Sequence, residues 1–272
     1  MAKERLDILL VQKGYYPSRE QAQRAIMAGL VFVDNEPSTK VGTKYPVDSS
    51  IQIKGETHPY VSRGGLKLEK ALHVFSIDMN DKVVLDIGAS TGGFTDCSLQ
   101  NGASYVYAID VGYGQLAWKL RTDERVKVME RTNFRHVQAE DLEGPIPNFA
   151  TIDVSFISLS NIMPTLKRLL PDGSEVVALI KPQFEAQKDQ VEKKGIVSDA
   201  AVHHDVLKRM MEMFFQEGYG IAGLSSSPIR GGKGNIEFLA YLIKGTDERS
   251  FSIEDQIELV LQEAHRTPML EE

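Results

Sequence analysis

From Lys82 onward the chain alternates short apolar runs with stretches of helical spacing, and this alternation restricts it to very few folds. KVVLDIG, SYVYAID, VKVME, FATIDVSF and SEVVALIK have the length and β-branched content of buried strands. Between and after them, GFTDCSLQNG, GQLAWKLRTD, NIMPTLKRLL and HHDVLKRMMEMFFQEG carry helical patterns, and IAGLSSSP and NIEFLAYLIK supply two further strands. Strands joined through helices form a mostly parallel sheet covered on both faces. The right-handed crossover preference narrows this to a doubly wound, Rossmann-like α/β sheet. Ser252 then caps a last helix whose apolar stripe is Ile253, Ile257, Val260, Leu261 and Ala264.

The first sixty or so residues follow another pattern. Leu6, Leu9 and Leu10 share a helical face, and Gly14 stops that helix. Pro17-Ser18 opens a second helix with Gln21 in the capping-box position and Ala22, Ala25 and Ile26 on its inner face. LVFVDNEP reads as a strand entering an Asp34-Asn35 turn, and SIQIK as another strand. The expected organisation is a small α+β domain over 1–56, a linker over 57–66, the α/β domain over 67–245, and an acidic C-terminal helix within 246–272 packed on it.

Bulk properties narrow the function. The single cysteine, Cys97, excludes an intrachain disulfide and fits a reducing, cytoplasmic setting. No apolar run approaches the roughly 18 residues of a membrane helix, and the N-terminus is too charged for a signal peptide. A net charge of −7 argues against nucleic acid until it is divided along the chain. Residues 1–67 hold ten Lys/Arg against seven Asp/Glu, whereas residues 246–272 hold two against eight. The mildly basic front permits RNA binding. Arg5, Lys13, Arg19 and Arg24 are its candidate phosphate contacts, on faces that would equally suit plain solvation. Arg63, and Arg230 and Lys233 among the glycines of IRGGKGN, are candidates beyond it.

The stretch from Asp86 to Phe94, DIGASTGGF, lies where the first α/β strand turns into its helix, the usual ligand position in an open parallel sheet. A dinucleotide loop would read G-x-G-x-x-G; here glycine stands at 88, 92 and 93, and that spacing fails. Asp110 closes the next strand, where a carboxylate can accept both hydroxyls of a ribose. The pair suits an adenosine ligand without a pyrophosphate. Four further ionisable residues, Lys67, Asp153, Lys181 and Glu237, fall at strand or helix ends. Asp153 and Lys181 end consecutive strands on the rim that carries the glycine loop. Activating a hydroxyl as a nucleophile needs a base, and a lysine serves if desolvation and a neighbouring cation make it neutral. No His/Cys cluster offers a metal site.

These motifs carry resemblances. RLDILLVQKGYYPSREQAQRAIMAGLVFVDN resembles the S4 RNA-binding module over about residues 4–55. VLDIGASTGGFTD and AIDVG resemble the first two motifs of FtsJ-type RNA methyltransferases. That resemblance implies S-adenosylmethionine as cofactor, with Asp86, Gly88, Ser90, Gly92, Gly93 and Phe94 around its methionine and ribose. It implies Asp110 on the ribose and Asn133 near the adenine, where relatives often carry aspartate. Lys67, Asp153, Lys181 and Glu237 match the FtsJ catalytic tetrad in order. The S4 module ahead of YVSRGGLKL, DVSFISL, IKPQFE and GNIEFL resembles the TlyA family, whose members are often labelled haemolysins. That family implies ribosomal RNA, or ribosomal subunits, as partner and cytidine 2′-O-methylation as activity. The competing readings are a membrane-active haemolysin, a non-catalytic RNA-binding assembly factor, and methylation of a base or small molecule. The sequence leaves monomer and weak dimer open.

Overall fold

The computed structural model describes residues 3–27, 29–53, 58–247 and 252–266. The chain divides into two compact units, Met1–Pro59 and Tyr60–Glu272.

The first unit runs β1 (Lys3–Arg5), α1 (Leu6–Gln12), α2 (Arg19–Met27), β2 (Val31–Val33), β3 (Glu36–Pro37), β4 (Lys44–Pro46) and β5 (Ile51–Ile53). Leu6, Leu9 and Leu10 of α1 meet Ala22, Ala25 and Ile26 of α2 over Val31, Val33 and Ile51. Each such side chain withdrawn from water contributes roughly 1.5–3 kcal/mol before entropy is counted, rather less for alanine. Ser18 Oγ accepts from the Gln21 amide at 3.3 Å, a weak form of the expected cap. Asp34 and Asn35 both take positive φ, 52° and 68°, the geometry of a tight hairpin turn between β2 and β3. The β1–β4 pair has no counterpart in the sequence reading. Its strands are three residues each and lack an apolar alternation that would have marked them.

The second unit runs α3 (Gly64–Val74), β6 (Val83–Ile87), α4 (Gly93–Gln100), β7 (Tyr105–Ile109), α5 (Trp118–Arg121), β8 (Val126–Met129), β9 (Phe149–Ile152), α6 (Met163–Leu169), β10 (Glu175–Ile180), α7 (Pro182–Glu185), α8 (Ala200–Gln216), β11 (Tyr219–Ser226), β12 (Phe238–Lys244) and α9 (Ile253–Arg266). Seven strands form one sheet in the order β11-β12-β10-β9-β6-β7-β8. β12 runs antiparallel to both neighbours, and the pairs from β10 to β8 are parallel. The doubly wound sheet is therefore present. Alternation within the strands separates two cores. Val83, Leu85 and Ile87 point to the layer of α6, α8 and α9, while Val84 points to that of α3 and α4.

Three local differences have plain causes. GQLAWKLRTD forms only the single turn α5, because Gly112 and Gly114 keep the preceding backbone in turns, Gly114 at φ 72°. α3 begins at Gly64, inside the stretch that reads as a linker, and Tyr60 before it is already buried. A Cβ on Gly65 would lie 2.3 Å from the Tyr60 ring, so this glycine is set by close packing. The charged loop after Lys181 opens with α7. Residues 54–57, 248–251 and 267–272, which include the edges drawn for the linker and the acidic tail, lie outside the described residues, as does the side chain of Arg24.

Candidate active site

Strand register brings the site together. Ile87 pairs with both Ile109 and Ile152, so Gly88, Asp110 and Asp153 leave the sheet at one level. Ile180 pairs with Phe238 in the antiparallel direction, and Glu237 consequently enters β12 beside Lys181 as it leaves β10. Lys67 arrives from the first turns of α3.

The four side chains form a continuous ionic line. Lys181 Nζ pairs with Asp153 Oδ1 and also donates to Ser155 Oγ at 3.1 Å. Asp153 Oδ2 lies 3.8 Å from Lys67 Nζ, which donates to Glu237 Oε2 at 2.6 Å. Glu237 Oε1 accepts from Gln183 Nε2 at 3.4 Å. Lys67 and Lys181 are each 8% exposed and Glu237 2%, so these charges interact with little water between them. Burial pushes the Lys67 ammonium down, but Asp153 and Glu237 outweigh it and hold its pKa above the ordinary lysine value.

The glycine loop forms the floor of a cavity of about 290 Å³, with Gly88 through Thr91, Gly93 and Phe94 on one side. Ser62, Arg63, Gly64, Lys67 and Asp153 form another wall, and Ile229 to Gly232 a third. Gly88 has φ 87°, and a Cβ there would lie 2.4 Å from the Asp153 carbonyl oxygen. A Cβ on Gly93 would lie 2.3 Å from Ser62 Oγ. Glycine at these two positions lets the strand end pass the Asp153 carbonyl and the first turn of α4 pack against Ser62 and Gly65. Asp110 is held by the Ser90 amide at 2.8 Å and the Gly112 amide at 2.6 Å, which ties the second strand end to the loop. Asp110 is not itself a lining residue, and the open cradle of Gly88 to Thr91, Gly93 and Phe94, with no pyrophosphate turn, fits an adenosine-containing cofactor.

Some candidates stand elsewhere. Asp86 is fully buried below the loop, where its carboxylate accepts from Thr95 Oγ1 at 2.5 Å and Thr151 Oγ1 at 3.0 Å. Burial raises its pKa to about 6, against the lowering effect of those hydroxyls. Its side chain supports the turn and has no access to the cavity. Gly92 packs against Leu120 and Leu116 instead of lining it. Asn133 accepts from the Arg135 amide at 3.2 Å and caps a short helical turn; it is not among the lining residues. Ser62, Thr91 and Ile229 line the cavity and were not singled out, since nothing in their local pattern separates them from ordinary loop residues.

Among the RNA candidates, Arg63 and Arg230 line the cavity and Lys233 is exposed beside it. In the first unit, Asp7 is buried and accepts from Arg5 Nε at 2.9 Å, Arg19 Nη2 at 2.8 Å and Gln23 Nε2 at 2.8 Å. Burial pushes this carboxyl up, but the three donors outweigh it and hold it well below the usual carboxylate range. Both arginines are therefore fixed from behind while parts of them stay exposed. Lys13 Nζ donates to the Ser49 carbonyl at 2.9 Å.

Such a sheet, with its ligand loop after β6 and β12 inserted antiparallel between β10 and β11, belongs to the S-adenosylmethionine-dependent methyltransferases. The comparisons narrow the class. The FtsJ-like methyltransferase model matches residues 60–244 and the S4 domain model residues 4–51. A Bacillus subtilis protein provisionally called an rRNA methyltransferase, YqxC, is 56% identical over 97% of this chain and 95% of its own. The 16S/23S rRNA (cytidine-2′-O)-methyltransferase TlyA of Mycobacterium tuberculosis is 38% identical over 96% of this chain and 98% of its own. A Streptococcus thermophilus structure, provisionally described as a hemolysin, is 50% identical, covers 98% of this chain and 97% of its own, and superimposes with a TM-score of 0.77. The chain is a member of the TlyA family, an S4 domain joined to an FtsJ-like methyltransferase domain.

Proposed function

We propose that this chain methylates ribosomal RNA at a ribose 2′-hydroxyl, with cytidine as the nucleotide. The observation that carries the reading is the buried line Lys181–Asp153–Lys67–Glu237 on the rim of the cofactor cradle. When bound, S-adenosylmethionine supplies an electrophilic methyl carbon on a sulfonium. Gly88, Ser90, Gly93 and Phe94 would hold it, with Asp110 on its ribose. Lys181, oriented by Asp153 and Ser155, is the group placed to take the 2′-hydroxyl proton as the oxygen attacks. Lys67, kept protonated by Asp153 and Glu237, leaves a fixed positive charge where negative charge develops on that oxygen. Phe156 is 90% exposed, sits in left-handed backbone at φ 64°, and lies 5.0 Å from the Phe184 ring. One residue beyond Ser155, it offers a stacking face for a base turned out of its helix.

The M. tuberculosis relative's name supports the substrate, and the S4 match supports RNA docking by the first unit. A second relative, from Brachyspira hyodysenteriae, is named Hemolysin A and is 43% identical over 88% of this chain and 99% of its own. Among the described residues no helix is long and apolar enough to cross a membrane. The test is incorporation of labelled methyl into purified 16S RNA, 23S RNA and intact subunits, followed by nucleotide mapping. A 2′-O-methylcytidine product supports the reading; a methylated base, or lysis of erythrocytes by lipid-free protein without methyl transfer, overturns it.

A further inference from the structure

Two lysine-tipped turns, one of them in the cavity wall, are tied together by one asparagine side chain. The first spans Glu192–Gly195: the Gly195 amide donates to the Glu192 carbonyl at 2.7 Å, which leaves Lys193 and Lys194 exposed at the centre of the turn. The second spans Gly231–Gly234, closed by a 3.0 Å bond from the Gly234 amide to the Gly231 carbonyl, with Lys233 exposed at φ 61°. Asn235 is 2% exposed. Its Oδ1 accepts from the Val197 amide at 3.0 Å, and its Nδ2 donates to the carbonyls of Gly195 and Gly232, both at 3.0 Å. One amide thus uses its acceptor and both its donors to join loops that emerge after Lys181 and before Glu237.

The join brings like charges together. Lys233 Nζ lies 3.4 Å from where a Cβ on Gly195 would be, beside the turn that carries Lys193 and Lys194. Glu192 at the start of that turn accepts from Ser198 Oγ at 2.5 Å, so the two turns set three exposed lysines against one carboxylate. Arg230 donates to the Gly234 carbonyl at 3.0 Å and continues the lip into the cavity wall. A solvated connection does not need a buried three-bond clasp, and clustered ammonium groups repel unless an anion joins them.

We propose that these two turns form a bipartite phosphate grip, clasped by Asn235, that holds the RNA backbone next to the methylated ribose. The proposal rests on the RNA reading above and adds Lys193 and Lys194 to Lys233 as phosphate contacts, with Asn235 as their positioning residue. Phosphate contacts orient a nucleic acid without reading its sequence, which is what a methyltransferase needs beside its reacting nucleotide.

The test measures ribosomal RNA affinity between about 50 and 200 mM salt for the full chain, for the triple variant K193A/K194A/K233A, and for Asn235→Ala. The triple variant is expected to lose about tenfold or more in affinity and about 2 to 3 from the slope of log K against log salt. Asn235→Ala, which removes no charge, is expected to weaken RNA binding about fivefold while retaining its fold by circular dichroism. Wild-type affinity and slope in the triple variant overturn the grip, even where Asn235→Ala fails to fold. An Asn235→Ala protein with lowered melting temperature and unchanged RNA affinity overturns the clasp. Wild-type protein that binds RNA with the expected slope but transfers no methyl would instead remove the functional reading and leave the grip standing.

Discussion

Asp153 lies between two ammonium groups, and the roles of those groups separate on geometry. Lys67 is held on both sides by carboxylates, which keeps it charged, while Lys181 has Asp153 on one side and a neutral hydroxyl on the other. Lys181→Ala is therefore expected to lower kcat by about 10²–10⁴, the range for a lost general base, with adenosylmethionine affinity within about threefold because Lys181 does not line the cavity. Single-turnover methyl transfer and calorimetry measure the two, and retained turnover would remove the base assignment. Gly88 gives a second expectation. Alanine there meets the Asp153 carbonyl oxygen at 2.4 Å in a backbone region that L residues enter at roughly 1–2 kcal/mol. Gly88→Ala should weaken adenosylmethionine binding by about tenfold or more, read by calorimetry.

At the scale of elements, the C-terminal helix is seated by a histidine pair. His203 on α8 is fully buried; in its neutral form Nε2 donates to the Val197 carbonyl at 3.0 Å, and Nδ1 accepts from His265 Nε2 of α9 at 3.1 Å. Burial, with His265 adding to it, lowers its pKa to about 4. The unfolded chain binds this proton near pH 6.5 and the folded chain only near 4. The stability it confers is complete above 6.5 and is lost as pH falls towards 4. Between pH 7 and 5 the loss should be about 2 kcal/mol, and His203→Gln should flatten that part of a denaturation-against-pH curve. The element pattern itself was readable wherever burial imposed a period. α1, α2, α8 and α9 are marked by their stripes, and β6 to β10 by short runs rich in apolar and β-branched residues. β1 and β4 did not, because short strands stabilised by a single partner need no apolar alternation. α5 was over-read because its apolar residues pack on a turn instead of a helix face: Leu116 and Leu120 close over Gly92.

Across the whole molecule, two units carry separate cores, Leu6 to Ile51 in one and the two faces of the sheet in the other. A chain beginning at His58 is expected to keep adenosylmethionine affinity within about threefold and to lose ribosomal RNA affinity by about tenfold or more, since the arginines seated on Asp7 go with the first unit. Filter binding and calorimetry on the two chains check it. The sequence alone determined the sheet class and the position of the glycine-rich loop, because glycine spacing and apolar period are local properties. It also offered Lys67, Asp153, Lys181 and Glu237 as candidates, through their order, without containing what brings them together. Lys67 and Glu237 stand 170 residues apart and meet only because β12 enters the sheet antiparallel beside β10. Tertiary structure likewise decided that Asp86 supports the loop from below, that Asn133 caps a turn, and that Asn235 joins two loops. Each of those roles depends on which neighbour occupies the other end of a hydrogen bond, and only packing brings that neighbour within reach.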